Sequence, residues 1–431
     1  MYRKFTKILQ EWEERRDPKP LMVTGARQVG KTWLLQEFCQ QRYSDYVYIN
    51  LEERKDCLSA FEGNLDPNTI LRILEQLLGR RIEPTTALFL DEIQQSEKAI
   101  TSLKYFCEAK EDYRVLCAGS LLGVKLKRFE GSFPVGKVKI CAMHPMDFEE
   151  FLIAIGEEYL RDGIKDACLH RKPLPEGVHE KALRLYRDYL FVGGMPEMVK
   201  SYLENEKNAM RVDASLYRNL KFAYLADMSK HVTSPAESVK ISEVYASIPS
   251  QLSRDNPKFK YKDVRPQANK RDFMAPLDWL SASGMVYRIS KVSLPEAPLG
   301  GYEETDHFKL YLSDTGILAH MCGLRYKDLL PDVHNIYKGG VVENYVIQQL
   351  KTAGKELYYY KPSDSMEIDL LWDDGESIVP AEIKSGRHKR STSLRNFRDR
   401  FHPPTSIRFS EFNFGQMEDL LSIPLYAVFC I

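Results

Sequence analysis

The 431 residues contain no C-x-x-C pair, and the eight cysteines are scattered from Cys39 to Cys430. This excludes a zinc ribbon and argues against a disulfide framework. Reduced, mostly buried thiols of a cytoplasmic protein are expected instead. The nine histidines have no metal-ligand spacing either. Charge of one sign is not in excess: Lys+Arg and Asp+Glu are 61 each, so any nucleic-acid site must be a local patch. No apolar run approaches the roughly 18 residues of a membrane span. The opening residues, with Lys4, Lys7, Glu11, Glu13, Arg15 and Arg16, lack the apolar centre of a signal peptide.

What is present is more telling. Leu21-Met22-Val23-Thr24 reads as a strand, and Trp33 to Phe38 has the apolar spacing of a helix. Between them stands Gly25-Ala26-Arg27-Gln28-Val29-Gly30-Lys31-Thr32, which is G-x-x-x-x-G-K-T in the strand–turn–helix setting that a phosphate-binding loop requires. Glycines let consecutive N–H groups converge on an anion, and the following helix points its positive end at it. Lys31 is expected to reach the terminal phosphates of ATP and the Thr32 hydroxyl to ligate Mg²⁺. The nucleotide-binding set is Gly25, Ala26, Arg27, Gln28, Val29, Gly30, Lys31, Thr32 and Trp33.

Thr86-Ala87-Leu88-Phe89-Leu90-Asp91-Glu92-Ile93 agrees with this. It reads as a buried parallel strand ending in two acids. Asp91 would hold Mg²⁺, directly or through water, and Glu92 would orient and deprotonate the attacking water.

Strand and helix patterns alternate from about 20 to 145, which implies a parallel sheet covered by helices. Strands are expected at Tyr46–Leu51, Arg114–Ser120 and Val138–Met143. The arrangement resembles the P-loop ATPases with a strand added between the two Walker segments, and more narrowly the AAA+ type. By that resemblance Ser120 would sense the γ-phosphate. Arg128, which follows it, would be the arginine acting across subunits of a homo-oligomer. Residues 151–235 read as helical, broken at Val192-Gly193-Gly194-Met195-Pro196. That break is either a plain turn or, by resemblance to AAA+ relatives, a lid element in which Gly194 and Pro196 touch the nucleotide base.

Residues 236–305 resemble a winged helix. Within it Lys258-Phe259-Lys260-Tyr261-Lys262 alternates basic and aromatic. It would either contact DNA phosphates or form a solvated edge strand with its aromatics turned inward.

Residues 306–431 carry a second set of acids. An amphipathic helix over 339–350 bears Glu343. Asp369 lies in Glu367-Ile368-Asp369-Leu370, and Glu382-Ile383-Lys384 closes another strand. Helix Glu, strand Asp and strand Glu-x-Lys in that order resemble the PD-(D/E)XK nuclease core, although Ile368 stands where that family usually has proline. The resemblance implies Asp369, Glu382 and Glu343 as Mg²⁺ ligands and Lys384 as the residue that positions or activates water. A basic stretch follows, with Arg387, Lys389, Arg390, Arg395, Arg398 and Arg400.

The whole order resembles prokaryotic AAA+-type, archaeal-ATPase-like proteins joined to a carboxyl-terminal domain related to PD-(D/E)XK nucleases. His144-Pro145-Met146-Asp147-Phe148 and Leu312-Ser313-Asp314-Thr315-Gly316 are part of the likeness. The expected fold is α/β: an ATPase core at 1–150, helical lid at 151–235, winged helix at 236–305 and nuclease-like domain at 306–431. The expected function is an Mg²⁺-dependent ATPase coupled to a nuclease-like module acting on or binding DNA. The alternative is a nucleotide-gated switch or scaffold that hydrolyses ATP slowly and holds a protein partner.

Overall fold

The computed structural model describes every residue except 16–18, 128–132, 231, 233, 255–256, 332, 364–365 and 387–391. The chain divides into two compact units. The first takes Met1–His144 with Asp278–Met285, and the second takes Pro145–Leu277 with Val286–Ile431.

The first unit alternates α1 (Phe5–Glu13), β1 (Leu21–Thr24), α2 (Lys31–Arg42), β2 (Tyr46–Asn50) and α3 (Pro67–Leu78). It continues with β3 (Ala87–Asp91), α4 (Glu97–Glu108), β4 (Val115–Ala118), α5 (Leu122–Lys127) and β5 (Lys139–Ala142). All five strands are parallel, in the order β2-β3-β4-β1-β5. Strands β3 and β4 are buried along their whole length, which is why they read as unbroken apolar runs. Helix ends carry local signals. Asp66 accepts the Thr69 amide at 3.1 Å, Pro67 opens α3, and Gly79 closes it in the left-handed conformation. Because β4 stands between β1 and β3, the loops leaving all three strands meet at one sheet edge, where ligands of open α/β sheets sit.

The second unit contains α6 (Phe148–Ala154), α7 (Glu158–His170), α8 (Glu176–Val192), α9 (Pro196–Glu204), α10 (Ala214–Ser229) and α11 (Pro235–Leu252). Helix α12 (Lys270–Ala282) follows, counted with the first unit from Asp278 on. Then come β6 (Val286–Val292), β7 (Glu303–Leu312), α13 (Thr315–Met321), α14 (Lys338–Thr352), β8 (Tyr358–Ser363), β9 (Met366–Asp373) and β10 (Ile378–Ile383). Helix α15 (Thr392–Phe401), β11 (Ser406–Ser410), β12 (Gly415–Met417) and β13 (Leu420–Pro424) complete it. The strands form one mixed sheet in the order β12-β13-β11-β10-β9-β8-β6-β7, and α14 packs on β7 and β10.

The described part of 151–235 is largely helical, as expected, and is counted in the second unit. Within that unit α8 commits polar groups to the carboxyl-terminal half. His179 bonds the Tyr426 hydroxyl at 2.8 Å, Asp188 accepts from Tyr326 at 2.6 Å, and the Tyr189 hydroxyl accepts from Gln348 at 2.9 Å. The 305/306 boundary falls inside β7, and β6 pairs with both β7 and β8, so the strands expected for a winged helix belong to the large sheet. The segment at 258–262 is coil and a short 3₁₀ turn rather than an edge strand. Its Phe259 is buried against Phe308 (centroids 5.3 Å apart) while Lys260 is exposed.

Three short motifs lock together in this unit. Asp147 and Glu150 form a reciprocal capping box at the start of α6. The Met146 amide donates to the Gly194 carbonyl at 2.7 Å. Fully buried Asp314 caps α13 through Ile317 and accepts the Gly194 amide at 2.6 Å. A Cβ on Gly194 would lie 1.9 Å from the Met146 carbonyl oxygen, and one on Gly316 would lie 2.5 Å from that of Val192. Asn344, Gln348 and Gln349 on α14 tie the same knot to Leu312, Thr315 and Phe148.

Candidate nucleotide site and carboxyl-terminal cleft

After β1 the chain turns through Gly25, Gln28 and Gly30, all at positive φ (135°, 65° and 94°), before α2 begins at Lys31. Only glycine fits at 25, since a Cβ there would stand 2.1 Å from the Met143 carbonyl oxygen. Buried Arg3 fixes the loop from outside, donating to the carbonyls of Val29 (2.7 Å) and His144 (2.6 Å). Lys31 Nζ folds onto the loop and donates to the carbonyls of Gly25 (2.9 Å) and Ala26 (2.8 Å).

The Thr32 hydroxyl donates to Asp91 Oδ2 at 2.8 Å, and Tyr48 donates to the same oxygen at 3.2 Å. Asp91 Oδ1 accepts the Glu92 amide at 3.0 Å. Glu92 is left-handed (φ 51°), and its carboxylate accepts the Gln94 side-chain amide. Burial raises the Glu92 carboxyl above the ordinary range, opposed by that hydrogen bond. A Cβ on Gly119 would lie 1.9 Å from Gln94 Oε1, so Gln94 is wedged between Glu92 and the strand end that carries buried Ser120. The Trp33 side chain is exposed, and Arg128 lies outside the described residues. Gly194 and Pro196 are in the second unit, where a Cβ on Gly194 would meet the Met146 backbone.

In the second unit Glu343, Asp369, Glu382 and Lys384 line one cleft of about 840 Å³. Asp369 stands one residue beyond the Leu370–Ala381 pair of β9 and β10, across from Glu382, and accepts the Ile383 amide at 2.8 Å. Burial, with Glu343 nearby, pushes the Asp369 carboxyl up to about 7. Lys384 pairs with Glu382, whose other oxygen is buried with no hydrogen-bond partner among the described residues.

The same cleft holds groups the motif did not include. Lys309, 2% exposed, places Nζ 3.1 Å from Glu343 and 2.8 Å from Glu367. Burial lowers its pKa, but Glu343, Glu367 and Asp369 outweigh that and hold it well above the ordinary lysine value. Tyr311 donates to Glu343 at 2.6 Å, and Lys361 pairs with Glu367 at 2.8 Å. Arg387, Lys389 and Arg390 of the basic stretch lie outside the described residues.

Residues 17–152 match the family described as an AAA domain. That segment, with its Gly25–Thr32 loop and parallel sheet, is thus similar to P-loop ATPase domains of the AAA type. Residues 183–328 and 338–426 match two domains of unknown function, DUF8612 and DUF4143. No curated protein matches the chain. Among solved structures it is similar to the Walker-type ATPase paby2304 of Pyrococcus abyssi, at 16% identity and TM-score 0.44, covering 74% of this chain and 94% of that one. It is also similar to the ORC2 protein of Aeropyrum pernix, solved as ADPNP–ADP complexes, at 12% identity and TM-score 0.36, covering 81% and 93%. The ORC1 protein of Aeropyrum pernix in complex with DNA follows, at 14% identity and TM-score 0.28, covering 74% and 90%. Scores this low leave the assignment of the ATPase domain to its own match and its own geometry.

The ATPase domain fits the Mg²⁺ that accompanies ATP, because Thr32 Oγ1 and Asp91 Oδ2 are adjacent hard oxygens beside Lys31. Sequence reasoning missed Tyr48 and Gln94, which hold Asp91 and Glu92. The only mark of Gln94 was its place two residues after the acidic pair. The carboxyl-terminal cleft does not fit a divalent metal as arranged. An ammonium group stands between two of its carboxylates. No group of three or more His, Cys, Asp or Glu among the described residues could hold a metal ion. No helix described is long and apolar enough to cross a membrane.

Proposed function

We propose that this protein is an Mg²⁺-dependent ATPase that works as a nucleotide-gated switch, with its carboxyl-terminal cleft holding a macromolecular partner. The observation that carries the ATPase half is the join of Thr32 to Asp91 beside Lys31, with Glu92 held next to them by Gln94. Lys31 exchanges its loop carbonyls for the phosphates when ATP enters. Thr32 and Asp91 are the residues that would hold Mg²⁺, which supplies neutralisation of phosphate charge when bound. Glu92 takes the proton of the attacking water; its raised pKa suits a general base better than an ordinary exposed carboxylate would. Ser120 is the candidate sensor of the γ-phosphate.

The nuclease reading, in which the cleft cuts DNA with Asp369, Glu382, Glu343 and Lys384, is supported by the convergence of those four side chains on one cleft. Lys309 favours the binding reading over it. The deciding experiment compares ATP turnover with and without DNA, beside a cleavage assay with Mg²⁺ or Mn²⁺ on linear, branched and single-stranded DNA. ATP turnover without cleavage is expected. Metal-dependent cleavage lost in Asp369→Ala would return the cleft to a nuclease.

A further inference from the structure

Four carboxylates line or border the cleft: Glu343, Glu367, Asp369 and Glu382. Three lysines answer them, Lys309 to Glu343 and Glu367, Lys361 to Glu367, and Lys384 to Glu382. Lys309 is the deepest of the three and comes from β7, on the sheet edge farthest in order from β10 on this side. Its ammonium also lies 5.0 Å from the centre of the Tyr359 ring, so it is held by two carboxylates and an aromatic face. Tyr311, two residues on and on the same side of the strand, bonds the Glu343 oxygen that Lys309 uses.

From this we infer that Lys309 is the resident cation of the cleft, taking the place of a divalent metal, so that the cleft engages its ligand without metal. A metal drawn to Glu343 would weaken its pair with Lys309 and bring a dication close to a buried ammonium, which would keep Glu367 as its partner. Lys384 likewise pairs with Glu382, which leaves Asp369 as the one carboxylate of the four with no lysine partner among the described residues. The other Glu382 oxygen, buried and without a hydrogen-bond partner among the described residues, is an unfilled acceptor in the wall of the cleft. This inference rests on reading the cleft as a binding site.

The test measures Mn²⁺ binding to the full chain without nucleotide, from the loss of the free-ion electron paramagnetic resonance signal. Wild type and Asp369→Asn should bind equal numbers of ions. Lys309→Met should gain one site, at least 10-fold tighter than any in wild type, which Asp369→Asn then removes. A wild-type site lost in Asp369→Asn would overturn the inference, as would a folded Lys309→Met that gains none. The wild-type comparison stands even where Lys309→Met fails to fold. A wild-type metal site with no DNA cleavage sinks only this inference, whereas a site with cleavage sinks the binding reading as well.

Discussion

The Asp314 carboxylate caps α13 through the Ile317 amide and, with its other oxygen, accepts the amide of Gly194, 120 residues away, at 2.6 Å. Met146 completes the join by bonding the Gly194 carbonyl. The segments around Met146 and Asp314, marked in the sequence only by family resemblance, thus join the turn at Gly194 in one buried hydrogen-bonded knot. It fixes α6, the α8–α9 turn and α13 against α14, the helix that carries Glu343 into the cleft.

Gly194→Val should therefore destabilise the second unit, by about 3 kcal/mol, since the new side chain meets backbone that cannot move aside. Urea unfolding checks it. An unchanged midpoint, with weaker ATP binding instead, would favour the base-contacting role expected from the resemblance.

Burial raises the Asp314 carboxyl from its ordinary 3.8 to about 6, opposed by the Gly194 and Ile317 amides. Below about pH 4 it is protonated whether the chain is folded or not. Between about 4 and 6 the folded form keeps the proton that the unfolded form releases, so stability falls as pH rises through that window, by up to about 3 kcal/mol. The stability lead of wild type over Asp314→Asn should be larger at pH 4 than at pH 7. A lead independent of pH would contradict this.

Gln94 holds the Glu92 carboxylate and packs on Gly119. Gln94→Ala should lower kcat for ATP about 10-fold and leave KM nearly unchanged, because binding is made by the loop at Gly25–Thr32. Steady-state kinetics separates the two. A rise in KM alone would mean Gln94 shapes the pocket rather than the base.

The loop and the acidic strand end of the candidate nucleotide site were legible because each is local. Gly25, Gly30 and Lys31 lie in one turn, and Asp91-Glu92 closes one strand, so spacing along the chain carries the geometry. Lys309 was not, because its partners lie in α14 and β9 and no spacing connects them. Its signal was a single lysine inside Phe308-Lys309-Leu310-Tyr311-Leu312, where a buried charge demands a partner. The extent of the second unit was not legible for a related reason. Local patterns identified the helices and strands, but β6 joins a sheet whose next strand, β8, begins far down the chain. Nothing in α8 itself announces Tyr326, Gln348 or Tyr426.

Phosphate release from Mg²⁺-ATP by wild type, Glu92→Gln and Lys31→Ala, with nucleotide binding measured on the same samples, tests the ATPase site most directly. Glu92→Gln should keep ATP affinity and lose at least about 100-fold in kcat, and Lys31→Ala should lose tight binding itself. Turnover unchanged in both variants would contradict it.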